Sequence, residues 1–307
     1  MKRQFKIWLE CFRLRTLPVS ISGVVIAIGL AVWLHHFQWV PAMLCLVFAL
    51  LAQIASNTAN EYFDYLHGAD KPGRVGPRRG VTEGDIKPAT LRNVTFALLA
   101  LAAIVGCGLI PYGGWWLLPV GIVIVLGALA YSTGPYPLSY HGLGELMVFI
   151  FFGLVPVNLT FYVMAGTFAP FVVMFSIAIG LMGVNVLLVN NYRDVDDDRK
   201  AGKMTQTVLR GRPVTAFAYL INGFMAIAIL ASFWLMIAVG SGKSFQRVNI
   251  PPLWTLAIPV LYLVMHTASW YRLRHRDGAA LNPLLGATAR NMLIFTILIT
   301  IVLIIYS

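Results

Sequence analysis

Residues 41–66 read PAMLCLVFALLAQIASNTANEYFDYL, an apolar run that turns polar over its last turns. A stretch of this length and composition is a membrane-spanning helix, which needs about 20 predominantly apolar residues. At about 100° per residue, Gln53, Asn57, Asn60, Glu61 and Asp64 share one face of that helix and form a polar stripe along its inner end. Carboxylates beside a bilayer are costly and are kept there mostly for function. The stretch therefore predicts a helical membrane protein with its chemistry at one end of the bundle.

The rest of the chain agrees. Of 307 residues, 59% are hydrophobic and 11% charged, with a mean hydropathy of +0.77. Nine apolar runs are legible, at about 16–35, 41–66, 90–111, 114–132, 143–165, 169–192, 214–239, 251–269 and 288–306. They are continuous rather than alternating, which excludes a β-barrel. The expected fold is a single all-α domain over 1–307, a bundle of nine transmembrane helices around a central cavity open to the cytoplasmic side.

Charge sets the orientation. Nine spans place 21 of the 23 Lys and Arg on one side, with only Lys243 and Arg247 on the other. By the positive-inside rule the basic side is cytoplasmic. All 12 acidic residues fall there too. The net charge of +11 thus reflects topology and not nucleic-acid binding, and it suits contact with anionic lipid or an anionic substrate. The N-terminal ten residues read as a short interfacial amphipathic helix, since charges interrupt the apolar positions. Cys11, Cys45 and Cys107 are too scattered for a disulfide framework or a zinc site.

A second acidic string, Asn190-Asn191-Tyr192-Arg193-Asp194-Val195-Asp196-Asp197-Asp198, closes the sixth apolar run. Asn190, Asp194 and Asp198 fall at i, i+4 and i+8. Asn60-x-x-x-Asp64 and Asn190-x-x-x-Asp194 are each followed by an Asp, a Gly and a Lys, a weak internal repeat four spans apart. Parallel repeats set equivalent helix ends around one cavity. Two facing stripes of hard oxygen donors suit Mg²⁺, which commonly joins one or two carboxylates to substrate phosphates. Basic residues interleave with the stripes: Lys71, Arg74, Arg78, Arg79, Arg193, Arg199 and Lys203. Arg binds phosphate bidentately and Lys as a point charge. The alternative for Asp70, Asp196, Asp197 and Asp277 is simple charge balance with basic neighbours. Asn158 and Asn185, inside apolar runs, are expected to bond across helices.

These motifs resemble those of the UbiA superfamily of intramembrane aromatic prenyltransferases, which carries Asn-Asp-x-x-Asp after its second span and Asp-x-x-x-Asp after its sixth. Here they read Asn60-Glu61-Tyr62-Phe63-Asp64 and Asp194-Val195-Asp196-Asp197-Asp198. The resemblance runs from Arg13-Leu14-Arg15-Thr16-Leu17-Pro18 to the last span. Gly68-Ala69-Asp70-Lys71-Pro72, Gly76-Pro77-Arg78-Arg79-Gly80, Tyr131-Ser132-Thr133-Gly134-Pro135, Gly142-Leu143-Gly144-Glu145 and Asn191-Tyr192-Arg193-Asp194 are similar to the branch that prenylates 1,4-dihydroxy-2-naphthoate. Two positions depart from the pattern: Glu61 stands for Asp, and Tyr136 where a Lys or Arg is common.

The resemblance implies Mg²⁺ held by Asn60, Glu61, Asp64, Asp194 and Asp198, with Asn60, Asp64, Asp194 and Asp198 carrying catalysis. It places a polyprenyl diphosphate and an aromatic acceptor against Asn57, Lys71, Arg78, Arg79, Tyr131, Tyr192, Arg193 and Lys203. Phe63, Tyr131, Tyr140 and Tyr192 are candidates to stabilise an allylic cation, and His67 lies one turn past Asp64. Homogentisate, 4-hydroxybenzoate or another naphthoate are alternative acceptors. A membrane transporter is the alternative of another class, but it predicts polar groups on both faces. The expected location is the inner, cytoplasmic membrane.

Overall fold

The computed structural model describes residues 2–73, 75–239 and 252–307, and among these the regular structure is entirely helical. Helix α1 (Lys2–Phe12) is the amphipathic lead-in that the sequence predicts: Arg3, Gln4 and Lys6 are exposed, while Ile7 and Cys11 are buried. It stops at Arg13, whose backbone is left-handed (φ 51°, ψ 54°). Then follow α2 (Leu17–Trp33), α3 (Trp39–Leu66), α4 (Pro88–Cys107), α5 (Leu117–Ala130), α6 (Gly144–Ala165), α7 (Pro170–Lys200), α8 (Gln206–Val239), α9 (Ala257–Arg274) and α10 (Asn282–Ile305). Proline in the first turn starts α2, α4, α7 and α10, where its missing N–H costs no intrahelical bond.

Eight segments of the described residues are long and apolar enough to cross a membrane. The fourth predicted span, 114–132, differs: it forms α5, only 14 residues long, or about 21 Å against a hydrocarbon thickness near 30 Å. Its ends explain this, because Gly114 (φ 87°) and Gly134 (φ 100°) take backbone conformations that break a helix on either side. Among the described residues, the loop at 67–87 is built of turns and bends. Arg74, Lys243 and Arg247 lie outside the described residues.

Helix α7 is the axis of the bundle. It packs against α2, α6, α8 and α10, and Phe175, Ala178, Ile179, Met182, Val186 and Val189 on it join the main apolar core. Lipid offers no hydrophobic drive between helices, so close contact depends on small residues. Gly153 of α6 lies so close to Gly180 of α7 that a Cβ there would come 2.4 Å from the Gly180 Cα. Asn185 receives a hydrogen bond from Asn222 of α8 at 3.2 Å, across helices as expected. Asn158 instead donates from Nδ2 back to Leu154 O at 2.8 Å within its own helix, leaving its buried Oδ1 without a hydrogen-bond partner among the described residues.

One end of the bundle is laced together by polar bonds between loops. Asn282 Nδ2 donates to Val75 O at 3.2 Å, Gln206 Nε2 to Gly142 O at 2.7 Å, and Met204 N to Tyr140 O at 2.9 Å. These bonds bring the loops after α3, α5, α7 and α9 to one place, where both acidic strings end.

Candidate active site

Both acidic helices end in the same way. Gly68 (φ 68°) and Gly202 (φ 71°) each stand four residues past an aspartate and take the left-handed conformation that closes a helix. Ala69 N then donates to Asp64 O at 2.9 Å, and Lys203 N to Asp198 O at 2.8 Å. The structural equivalents are therefore Asp64 and Asp198, with Asn60 matching Asp194. The repeat is in a register four residues away from the Asn-to-Asn alignment of the sequence. The turn after α7 also folds Lys203 back over its own helix end.

Asp64 is 3% exposed and is the hub of the site. It accepts from Asn60 Nδ2 at 3.0 Å and from Tyr140 O–H at 3.1 Å, and Lys203 Nζ stands 3.5 Å away. Asn60 also donates to Ser132 Oγ at 3.1 Å and accepts from Arg13 Nη2 at 2.6 Å. On α7, Arg193 grips Asp194 through Nε at 2.6 Å and Nη2 at 2.7 Å, and also donates to Asn190 at 2.8 Å and Asn282 at 3.1 Å. Arg193 thus fixes the direction of the Asp194 carboxylate.

A cavity of about 850 Å³ opens from this end into the bundle. Asn60, Asp64, Asp70, Asn190, Asp194, Asp197 and Asp198 line its mouth with oxygen donors, and Arg13, Lys71, Arg79 and Lys203 line the same mouth with positive charge. Deeper, the wall becomes apolar: Val24, Phe48, Ala52, Phe151, Phe152 and Leu159. Leu118, Ile122 and Leu126 of the short helix α5 line it too and keep much of their surface accessible.

Charge at the mouth is held in place by mutual support. Burial disfavours the charge of Arg79, but Asp70, Glu61, Asp64 and Asp194 more than offset it and raise its pKa above the ordinary value. Burial likewise opposes the Lys203 ammonium, and Asp64 with Asp198 raises its pKa above that of a free lysine. Burial pushes the Tyr131 hydroxyl up to about 12. Burial and the facing Asp64 carboxylate push Tyr140 up as well, so both stay protonated donors at neutral pH.

Of the other predicted residues, Arg78, Tyr192 and Glu61 lie elsewhere, while Asn57 and His67 line the cavity. Arg78 is exposed and pairs with Asp85 rather than facing the cavity. Tyr192 is packed in the core, with the Arg212 guanidinium 5.4 Å above its ring. Asn57 lines the cavity, but its amide ties down the segment before α2, donating to Phe12 O at 3.0 Å and Thr16 Oγ1 at 3.2 Å. Glu61 is buried away from the cavity, its Oε1 accepting from Val81 N at 3.2 Å. His67 lines the mouth, its ring edge-on to Tyr140 with centroids 5.6 Å apart. Arg13, Ser132 and the hydrogen-bonding role of Tyr140 carry no periodic signal, because each sits at a helix break or in a loop.

Asp196 and Asp277 lie outside the mouth, with side chains 63% and 79% exposed, both beside Arg212. Exposed ion pairs of this kind contribute little. Asp196→Ala and Asp277→Ala are expected to leave thermal stability within about 0.5 kcal/mol of wild type and transfer activity within about twofold. A loss at Asp277 as large as one at Asp64 would relocate the site.

The match to known proteins agrees with this geometry. Residues 22–294 match the model of the UbiA prenyltransferase family. The chain belongs to that family. A UbiA relative from Escherichia coli strain K12, 1,4-dihydroxy-2-naphthoate octaprenyltransferase, is 32% identical over 95% of this chain and 92% of its own. The Mycobacterium tuberculosis protein of the same name is 34% identical, with 95% of both chains covered. Among solved structures, the fold is similar to a UbiA homolog from Archaeoglobus fulgidus bound to DMAPP and Mg²⁺, at TM-score 0.62 and 15% identity, over 96% of this chain and 99% of that one. The apo UbiA homolog from Aeropyrum pernix K1 gives TM-score 0.66 at 15% identity, over 94% and 97%. This chain is accordingly a multi-pass membrane prenyltransferase.

Proposed function

We propose that the protein transfers a polyprenyl group from polyprenyl diphosphate to 1,4-dihydroxy-2-naphthoate, with loss of CO₂, to give the quinol form of demethylmenaquinone. The observation that carries this is the Asp64–Lys203 pair and the facing Asp198 at the mouth of a cavity whose depth is apolar. A substrate with an anionic head and a long hydrocarbon tail matches that division. The names of the relatives supply the acceptor.

The donor set fits Mg²⁺. Among the described residues no three His, Cys, Asp or Glu converge tightly enough to make a closed protein cage. Asn60, Asp64, Asp194 and Asp198 instead offer hard oxygens on two sides of an open mouth, the pattern of an ion completed by substrate phosphates and water. When bound, Mg²⁺ neutralises charge developing on the leaving diphosphate.

Arg79, Lys203, Arg13 and Lys71 bind and orient the diphosphate, with Asp70, Asp64 and Asp198 supporting the charge of Arg79 and Lys203. As the allylic C–O bond breaks, its electron pair leaves with the diphosphate. A ring carbon of the acceptor supplies the pair for the new C–C bond, and the bond to the carboxylate returns its pair to the ring as CO₂ departs. Phe151, Phe152 and the apolar wall exclude water from the cation. The mouth lies at the end of the bundle that gathers the basic residues, which supports a cytoplasmic-facing site in the cytoplasmic membrane.

The test is transfer by purified protein in vesicles, using radiolabelled prenyl diphosphates of several lengths and a panel of aromatic acceptors. Prenylated naphthoquinol with release of CO₂ is expected, abolished by EDTA and restored by Mg²⁺. Undiminished transfer in EDTA sinks the metal requirement. Preference for 4-hydroxybenzoate or homogentisate replaces the acceptor.

A further inference from the structure

Glu61 occupies the motif position that the sequence assigns to the metal, yet its surroundings are of another kind. It is 0% exposed and does not line the cavity. Its Oε1 accepts from Val81 N at 3.2 Å and from Cys11 Sγ at 3.4 Å, and its Oε2 stands 3.9 Å from Arg79 Nη1. Around it Ile7, Cys11, Val81, Ile86 and Leu91 form an apolar cluster of their own, with Trp8 and Tyr62 packed against it. Gly80 brings the loop so close to α1 that a Cβ there would meet Cys11 Sγ at 2.9 Å and Ile86 Cδ1 at 3.0 Å. Three elements therefore meet at one carboxylate: α1, the 79–86 turn and α3.

What that junction carries into the site is Arg79. Arg79 is 8% exposed, lines the cavity mouth and lies 3.0 Å, Nε to Oδ2, from Asp70. The residue two positions on, Val81, is the one whose amide Glu61 holds. We propose that Glu61 is a positioning residue: it pins the 79–86 turn and the interfacial helix so that Arg79 faces the anionic head of the substrate, and it does not bind the metal. This rests on the reading of Arg79 as a diphosphate ligand.

The experiment has two arms. Hydrogen exchange of the metal-free protein follows the segment 79–86 in wild type, Glu61→Ala and Glu61→Gln. Glu61→Ala is expected to speed exchange at Val81 about tenfold, the usual weight of one hydrogen bond to a charged group. Glu61→Gln, whose amide oxygen still accepts, should keep most of the protection. In the kinetic arm Glu61→Gln should raise KM for prenyl diphosphate several-fold with kcat within about twofold. The Mg²⁺ concentration for half-maximal rate should not move, and the effect on KM should vanish in an Arg79→Ala background. A tenfold rise in that Mg²⁺ concentration, or unchanged exchange at Val81 in Glu61→Ala, overturns the proposal. If Glu61→Ala does not fold, the Glu61→Gln kinetics decide. If no prenyl transfer is found at all, the functional reading fails, while the exchange arm still reports on the junction.

Discussion

Asp64→Asn is expected to lower prenyl transfer by roughly a hundredfold to a thousandfold, the range seen when one preorganised electrostatic group is removed from an active site. The substitution keeps the shape and volume of the side chain but removes its charge. Three consequences follow from the contacts. Lys203, 3.5 Å from Oδ2, loses its nearest counter-charge. Asn60, which donates to the same oxygen at 3.0 Å, faces an amide that satisfies it only in one of its two orientations. The mouth also loses, on the α3 side, one of the oxygens proposed to hold Mg²⁺. Because Asp64 is buried, the change also touches stability: breaking one partner of a buried pair costs about 3–5 kcal/mol. Asp64→Asn combined with Lys203→Met removes the stranded charge, and is expected to recover most of the melting temperature and none of the activity. A double variant that regains activity, or a single variant within tenfold of wild type, shows that Asp64 serves the fold and not the reaction.

The two stripes were legible because helical periodicity carries them. Steps of about 100° put Asn57, Asn60 and Asp64 within about 40° of the line of Gln53, and these residues do line the cavity. The same arithmetic sets Glu61 at the edge of the stripe, about 100° from Asn60, and there the 79–86 turn claims it. Tyr192 stands about 200° from Asp194, on the back of α7, where the main core takes it. Tyr192 could have been separated from the site by angle alone; Glu61 could not, since it stands only about 40° from Asn57 on the same face. Arg13 could not have been found that way. Its place follows from a left-handed break between α1 and α2, and nothing in the pattern of apolar residues marks it. The short fourth helix was misjudged for a similar reason, since an apolar run does not show where a glycine will turn the backbone.

Gly153→Ala is expected to be among the most destabilising single-methyl changes in the chain. A Cβ at this position would lie 2.4 Å from Gly180 Cα, 2.7 Å from Gly180 N and 2.7 Å from Ser176 O. All three are backbone atoms of α7, so no rotamer change relieves the clash and the two helices must separate. The site lies in the π-helical turn Phe149–Leu154 of α6, which already departs from regular geometry. Overpacking usually costs 1–3 kcal/mol, and here about 3 kcal/mol or more is expected, because dispersion contact is the main attraction between helices in lipid. The separation would also move function: α6 carries Phe151 and Phe152 into the cavity, and α7 carries Asp194 and Asp198. Gly121→Ala is the matched control. It too is a helical glycine in the bundle, but a Cβ there meets nothing within 4 Å, and its effect should stay within about 0.5 kcal/mol. Thermal unfolding and monodisperse yield in detergent compare the two. Equal melting temperatures for Gly153→Ala and Gly121→Ala would mean that α6 and α7 are not in backbone contact at this crossing.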